Sequence, residues 1–212
     1  MNWKIIISIL IMLLGVPANA WFWDKTLVDY KNDFKDKVFE LKDQKKETTI
    51  ELTETKKLIF NYATLLQNAK KDDVDFDNLH EHWQDTENEI ELLNSKFKNL
   101  VESADAYFNE TKKKTDEISD AKMKQSAMNN ILEKENKYID RLKNTNKGLL
   151  KLSIGHRKLK DIIIFLEISN SLKSLDKELN IRFSEIDKII NNVMNDLELL
   201  NKESKELLND EF

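Results

Sequence analysis

Three histidines, His80, His82 and His156, are the side chains of this sequence best suited to metal binding or acid–base chemistry near neutral pH. His80 and His82 are two residues apart, so on a helix they point to different faces. A di-metal site in a helical bundle needs paired Glu-x-x-His motifs and two further carboxylates, whereas this sequence offers Asp77-x-x-His80 once. We therefore expect surface or capping histidines, and the sequence predicts no metal site.

Nucleophiles and cofactor-binding motifs are also missing from the sequence. It contains no Cys, which excludes thiolate nucleophiles, zinc–thiolate sites and disulfides. Its many carboxylates lie among lysines, as in Glu51, Glu54 and Lys57, with the spacing of ordinary ion pairs along a helix face. No Gly-rich phosphate loop or nucleophile elbow occurs. The sequence therefore predicts no catalytic residue, no cofactor and a protein that is not an enzyme.

The composition predicts the elements that would position any site. The 212 residues include three Gly and one Pro, and after the first twenty residues only Gly148 and Gly155 remain. Because tight turns rely on such residues, the chain has room for only a few long elements. Charged residues make up 34% and hydrophobic residues 40% of the chain, which is typical of long helices with narrow apolar seams. The predicted fold class is all-α, an elongated antiparallel bundle or coiled coil of about four long helices.

The charge pattern argues against nucleic acid as a partner. The net charge is −5, and acidic and basic residues alternate along the sequence, as on solvated helix faces. Phosphate binding instead needs clustered Lys and Arg. We predict no binding of nucleic acid.

The first twenty residues have the pattern of a secretory signal peptide. Lys4 supplies the positive charge, an apolar stretch runs from Ile5 to Val16, and Ala18-Asn19-Ala20 forms the cleavage site before Trp21. The alternative is a retained anchor, but the apolar stretch is shorter than the roughly 20 residues that cross a bilayer. We predict cleavage after Ala20, export to the periplasm or cell exterior, and residues 21–212 forming one elongated bundle.

The exported chain would then begin with Trp21, Phe22 and Trp23. These rings either plug the end of the bundle with their apolar bodies or contact the headgroup region of a membrane, where Trp is well accommodated. The first interpretation is favoured, and the second makes the three residues candidates for membrane contact.

Four helical stretches are indicated by apolar residues spaced alternately three and four apart, the heptad pattern of coiled coils. The first runs from about Thr26 to Ala69, the second follows the charged loop 70–77 and ends near Ile118, the third follows Ser119-Asp120, and the fourth follows Ser169-Asn170-Ser171. Asp75 or Asp77 is predicted to cap the second helix, Ser119-Asp120 the third and Ser169-Asn170-Ser171 the fourth.

The third helix is predicted to kink or break near Gly155, because Gly costs a helix about 1 kcal/mol relative to Ala. Its predicted core positions are Met128, Leu132, Glu135, Ile139, Leu142, Leu149, Leu152, Leu159, Ile163 and Leu166. The densest apolar run, Ile162 to Leu166 with Ile168 after it, is predicted to be a buried helix face. A membrane-inserting segment is the alternative, although the run is far shorter than the roughly 20 residues that span a bilayer.

The fourth helix has the most regular apolar periodicity in the chain. We predict that Phe183, Ile186 and Ile190 are buried, and that Lys188 and Asn192 are exposed.

Several short segments resemble a bacterial family of exported helical proteins that is defined as a domain of unknown function. They are Trp23 to Lys31, Phe76-Asp77-Asn78-Leu79, Ala104-Asp105-Ala106-Tyr107-Phe108 and Asp161 to Leu166. Members of the family are often lipoproteins, whereas this chain has no Cys to carry a lipid. The resemblance implies an envelope protein with no assigned activity.

These features favour a non-enzymatic structural or protein-interaction protein of the cell envelope, which contacts an unknown protein partner or associates with itself. The alternative is a membrane-active or lipid-binding helical protein that contacts the bilayer peripherally or in the manner of a pore-forming protein. The two hypotheses differ in whether the apolar residues outside the core meet protein or lipid.

Overall fold

The computed structural model of the protein describes residues 25–67, 75–168 and 175–208. Nearly every residue in these ranges is helical, and the helices are α1 Leu27–Gln67, α2 Phe76–Asp116, α3 Ala121–Ile168 and α4 Leu175–Leu208. Their lengths of 41, 41, 48 and 34 residues correspond to rods of about 50–70 Å. The prediction of an all-α fold with four long helices is confirmed.

Successive helices run antiparallel, and α4 packs back against α1 to close a four-helix bundle. In each neighbouring pair, residue numbers increase along one helix where they decrease along the other. The pairs that show this are Thr48–Glu89 and Tyr62–Asn78, Lys112–Glu135 and His80–Glu167, Arg141–Glu203 and Lys158–Glu185, and Lys45–Glu198 and Lys56–Asp187.

Side-chain caps begin three of the helices. Thr26 and Asp29 cap each other's backbone N–H at the start of α1, with the Thr26 N–H donating to Asp29 Oδ2 at 2.7 Å. The predicted caps are confirmed at Asp75, rather than Asp77, and at Asp120 of the pair Ser119-Asp120. Their carboxylates accept from the backbone N–H of the third residue after each, at 3.0 and 2.8 Å. The predicted cap at 169–171 lies outside the described residues.

The core consists of two apolar clusters, one toward each end of the bundle. Between them lies a buried hydroxyl pair, in which Thr55 Oγ1 is 2.7 Å from Thr86 Oγ1. Both hydroxyls also reach the His82 carbonyl, at 3.1 and 2.9 Å, so neither is left without a partner. Such a pair costs little when hydrogen-bonded, and it fixes the register of α1 against α2.

The predicted seam is wrong at two positions in the first half of α3. Leu132 and Ile139 are exposed, at 41% and 37%, whereas Tyr138 and Thr145 are buried. At these two positions the core residue is the preceding one, Ile131 or Tyr138, because Tyr138 fills the core with its ring and places its hydroxyl 2.7 Å from Ser204 Oγ on α4.

The break predicted near Gly155 is also wrong, because α3 is continuously helical from Ala121 to Ile168. Its two glycines face α4 at close approach. A Cβ on Gly148 would lie 3.3 Å from Val193 Cγ2, and one on Gly155 would lie 3.5 Å from Ile189 Cδ1. Packing against α4 therefore offsets the helix-forming deficit of about 1 kcal/mol per Gly.

In α4 the predicted burial pattern is confirmed at four of its five positions. Phe183 and Ile186 are buried, Ile190 is half-buried, and Lys188 and Asn192 are exposed. The apolar face of α4 therefore lies inside the bundle.

Candidate functional site

On the side opposite the core, α3 exposes a row of large apolar side chains that we call the outer stripe. Its members, with exposed fractions from 37% to 70%, are Leu132, Ile139, Leu150, Ile154, Ile164, Phe165 and Ile168. At about 100° of rotation per residue, all seven lie within roughly 60° of one line along the helix. From first to last residue the stripe extends about 54 Å.

Exposed apolar residues are concentrated on this helix. Of the fourteen large hydrophobic residues that are exposed in the described ranges, eight belong to α3: the seven of the outer stripe and Met123. Single exposed apolar residues are normal on a protein surface. The seven of the outer stripe instead form three groups on one face of α3, and exposed apolar groups that share a face are typical of a contact surface.

Exposed basic residues lie beside the middle of the outer stripe. From Arg141 to Lys160 the chain carries seven Lys and Arg and no Asp or Glu. Lys143, Lys147 and Lys151 of this run are exposed. Over its whole length α3 has eleven basic and five acidic residues, whereas α2 has five basic and ten acidic residues. The alternation of charge predicted for the sequence therefore does not hold within α3.

The dense apolar run at the end of α3 is divided between the two faces. Ile162, Ile163 and Leu166 are buried in the core, as predicted. The prediction of a buried face is wrong for Ile164, Phe165 and Ile168, because consecutive residues of a helix cannot all face the same way.

Inside the bundle, His156 of α3 stacks on Trp83 of α2. The ring centroids are 4.8 Å apart with an angle of 12° between the planes. His156 Nε2 lies 3.1 Å from the Trp83 carbonyl oxygen, and Trp83 Nε1 donates to the His156 carbonyl at 3.4 Å. Lys160 Nζ lies 4.6 Å from the centroid of the Trp83 ring. These contacts join α2 to α3 and make His156 a residue of the core.

The expectation of a surface histidine is therefore wrong for His156, which is only 3% exposed. The seam of α3 contained the signal that would have found it. The predicted core positions jump from Leu152 to Leu159, and His156 occupies the missing helical position between them.

Burial lowers the pKa of His156 below its ordinary value of 6.5, against the opposing effects of the Trp83 carbonyl and the charge of Glu87. The folded protein therefore holds this imidazole neutral at pH values where the unfolded chain protonates it. Because the unfolded state then binds more protons, the free energy of unfolding decreases as the pH falls from about 6.5 toward the lowered pKa.

We expect the denaturant concentration at the unfolding midpoint to decrease when the pH is lowered from about 7.5 to about 5.5. The decrease should be smaller in His156→Gln. The glutamine keeps an N–H for the Trp83 carbonyl but does not titrate. Unfolding curves of both proteins at the two pH values measure the difference. An equal fall in both would show that His156 does not contribute to the pH dependence.

The other two histidines lie at the surface, as expected. His80 Nε2 lies 2.7 Å from Glu167 Oε1, and His82 Nδ1 lies 3.3 Å from Glu51 Oε1. Asp77 is exposed and does not join His80 in a ligand set. Within residues 25–67, 75–168 and 175–208, no group of three or more His, Asp and Glu is placed to hold a metal ion.

Two clefts lie on the surface of the bundle beside α4. One, of about 130 Å³, is lined by Lys134, Lys137, Tyr138, Glu203, Glu206 and Leu207. The other, of about 600 Å³, is an open groove between α1 and α4 whose lining includes Lys42, Asp43, Lys46, Glu54 and Glu198. Small-molecule sites are mostly apolar concavities with a few convergent polar groups. Both clefts are open to solvent and are lined largely by Lys and Glu side chains, so neither is an enclosed concavity of that kind.

The residues of the predicted signal peptide and of the chain start lie outside the described residues. They include Ala18 and Ala20 of the cleavage site and the aromatic residues Trp21, Phe22 and Trp23, so their roles stay predictions. In the part of the chain that is described, no helix is sufficiently long and apolar to cross a membrane.

Comparisons with known proteins identified no relative of this chain. No protein-family model matches the chain, and no match is found among curated proteins or solved structures. The candidate contact surface is therefore defined by the residues of this chain alone. It is the outer stripe of α3 together with the exposed lysines beside it.

Proposed function

We propose that the protein is an exported, non-enzymatic interaction protein of the cell envelope, and that the outer stripe of α3 is its contact surface. The signal-peptide pattern of residues 1–20 supports export. The charged linings of the two described clefts, which lack convergent catalytic groups, support a role other than catalysis. Membership of an exported helical family, as the sequence resemblance implies, is consistent with this function.

The outer stripe is the observation that carries the proposal. The inner face of α3 buries Leu149, Leu152 and Leu159 and so accounts for its place in the bundle. The packing of the four helices does not require a second apolar face on α3. Burying a Leu or Ile side chain contributes about 1.5–3 kcal/mol, so covering the stripe would stabilise a complex substantially.

Photo-crosslinking in the native cell tests this proposal. A photoreactive amino acid replaces Leu150 of the outer stripe, which is 60% exposed, or Leu92 of α2, which is 47% exposed and serves as the control. We expect a discrete adduct from position 150 and none from position 92, and the mass of the adduct distinguishes a protein from a lipid. Equal labelling from both positions, or labelling from neither, would contradict the proposal.

The export component is tested separately by the mature N-terminus. Because Ala18-Asn19-Ala20 precedes Trp21, we expect the intact mass of the exported protein to correspond to residues 21–212. Mass spectrometry of the protein from the cell envelope or culture medium measures it. A mass that retains residues 1–20 would instead indicate an uncleaved anchor.

A further inference from the structure

Building on the proposed contact surface, we infer that the outer stripe of α3 binds the surface of an anionic lipid bilayer, with the bundle lying on its side. Two independent features of α3 meet at this surface. One is the apolar stripe itself, and the other is a set of exposed basic residues, Lys143, Lys147, Lys151 and Arg157, which lie in a run without an acidic residue from Arg141 to Lys160.

The mixture of residue types matches what a lipid interface requires. An interfacial helix places large aliphatic and aromatic side chains among the acyl chains and Lys or Arg beside the headgroups. Leu150 and Ile154 are exposed in the basic run, with Lys147 and Lys151 exposed beside them. The long Lys side chains can extend along the bilayer surface and keep their ammonium groups in the anionic headgroup layer.

The same charges argue against a second copy of the chain as the occupant. A symmetric dimer brings the same surface patch of both subunits together. Around Leu150 that patch contains Lys143, Lys147 and Lys151, so each subunit would present positive charge to positive charge. Such like-charge contacts across an interface are unfavourable.

An acidic protein partner is less well supported than lipid. Protein interfaces are typically rich in Tyr, Trp and Arg and poor in Lys. The outer stripe has no Tyr or Trp, and five of the seven basic residues between positions 141 and 160 are Lys. Nucleic acid would use the charges but would leave the apolar row in water.

Flotation with lipid vesicles tests the inference. We mix the protein, purified in the form that the cell contains, with one of two kinds of vesicle. One is pure phosphatidylcholine, and the other includes about one third phosphatidylglycerol, an anionic lipid that attracts basic residues. We expect binding to the anionic vesicles only. Raising the salt concentration from about 0.1 M to about 1 M should weaken it, since the screening length shortens from about 10 Å to about 3 Å.

Two sets of substitutions locate the contact on α3. The charge-reversal variant Lys143→Glu, Lys147→Glu and Lys151→Glu should reduce the partition coefficient at least about 100-fold, since each basic residue near an anionic surface favours binding about fivefold. The apolar variant Leu150→Ser and Ile154→Ser should reduce it at least about tenfold. All five side chains are exposed, so these variants should keep the bundle intact, and circular dichroism verifies this.

Matched controls separate the contact from a general effect of charge. Lys42→Glu, Lys46→Glu and Lys57→Glu make the same change of net charge at exposed positions of α1, which lies diagonally across the bundle from α3. This variant should retain more than about half of the wild-type partition coefficient, because its substituted charges lie across the bundle from the bilayer and are screened by salt. Residues 1–24, if they touch lipid, contribute equally to every variant.

The outcomes are distinct. Loss of binding in both α3 variants with retention in the α1 control supports the inference. Equal losses in the α3 and α1 charge variants, or failure to bind any vesicle, would overturn it. If vesicle binding failed while position 150 still gave a protein adduct in cells, the proposed interaction function would survive and the lipid inference would not.

Discussion

Replacing Trp83 with Ala is expected to lower the free energy of unfolding by about 3–5 kcal/mol, the range for removing a buried aromatic ring. Trp83 is 7% exposed and packs with Leu79, Ile163 and Phe183 in one apolar cluster. Its loss removes the stack with His156, the hydrogen bond to the His156 carbonyl and the contact with Lys160. Equilibrium unfolding in urea measures the change.

Leu92→Ala is the control for this prediction. Leu92 lies on the same helix but is 47% exposed, so its truncation should change the free energy of unfolding by only about 0.5 kcal/mol. Trp83→Phe should lie between the two, since it retains a ring to stack on His156. If Trp83→Ala and Leu92→Ala had the same small effect, α2 and α3 would not be packed through Trp83.

Ile186→Ala is expected to cost about 2–5 kcal/mol, with the value near the low end because an elongated bundle has a thin core. Ile186 is 2% exposed within the same cluster as Ile59, Ile163 and Phe183. Lys188→Ala, two residues along on the exposed face, should change stability by no more than about 0.5 kcal/mol. The two denaturant midpoints should therefore separate clearly.

Equal and small effects from Ile186→Ala and Lys188→Ala would have a definite meaning. They would show that α4 is not packed in the monomer, so that its apolar face is available to a partner. The contact surface would then have to be sought on α4 rather than on α3.

The sequence by itself determined the class of fold and most of the core. The scarcity of Gly and Pro allowed only long helices, and the alternation of three- and four-residue steps identified buried positions such as Leu149, Leu152, Phe183 and Ile186. These features are local, because the helical period and the chemistry of capping depend only on residues a turn apart.

Tertiary structure decided the matters in which two local patterns compete. In α3 the sequence contains two apolar rows, one through Leu132 and Ile139 and one through Tyr138 and Leu142, and periodicity does not say which faces inward. The hydroxyl of Tyr138 meeting Ser204, and α4 fitting closely over Gly148, place the second row in the core. The first row is thereby left on the surface as part of the outer stripe.

The same reason explains His156 and the basic surface. Whether a histidine in a seam is buried depends on whether another helix offers a partner, and Trp83, 73 residues away, is that partner. The basic run from Arg141 to Lys160 was present in the sequence, but it became a candidate site only when the bundle turned that side of α3 outward together with Leu150 and Ile154. Local periodicity determines which residues share a helix face, whereas only packing between distant segments determines which face meets solvent.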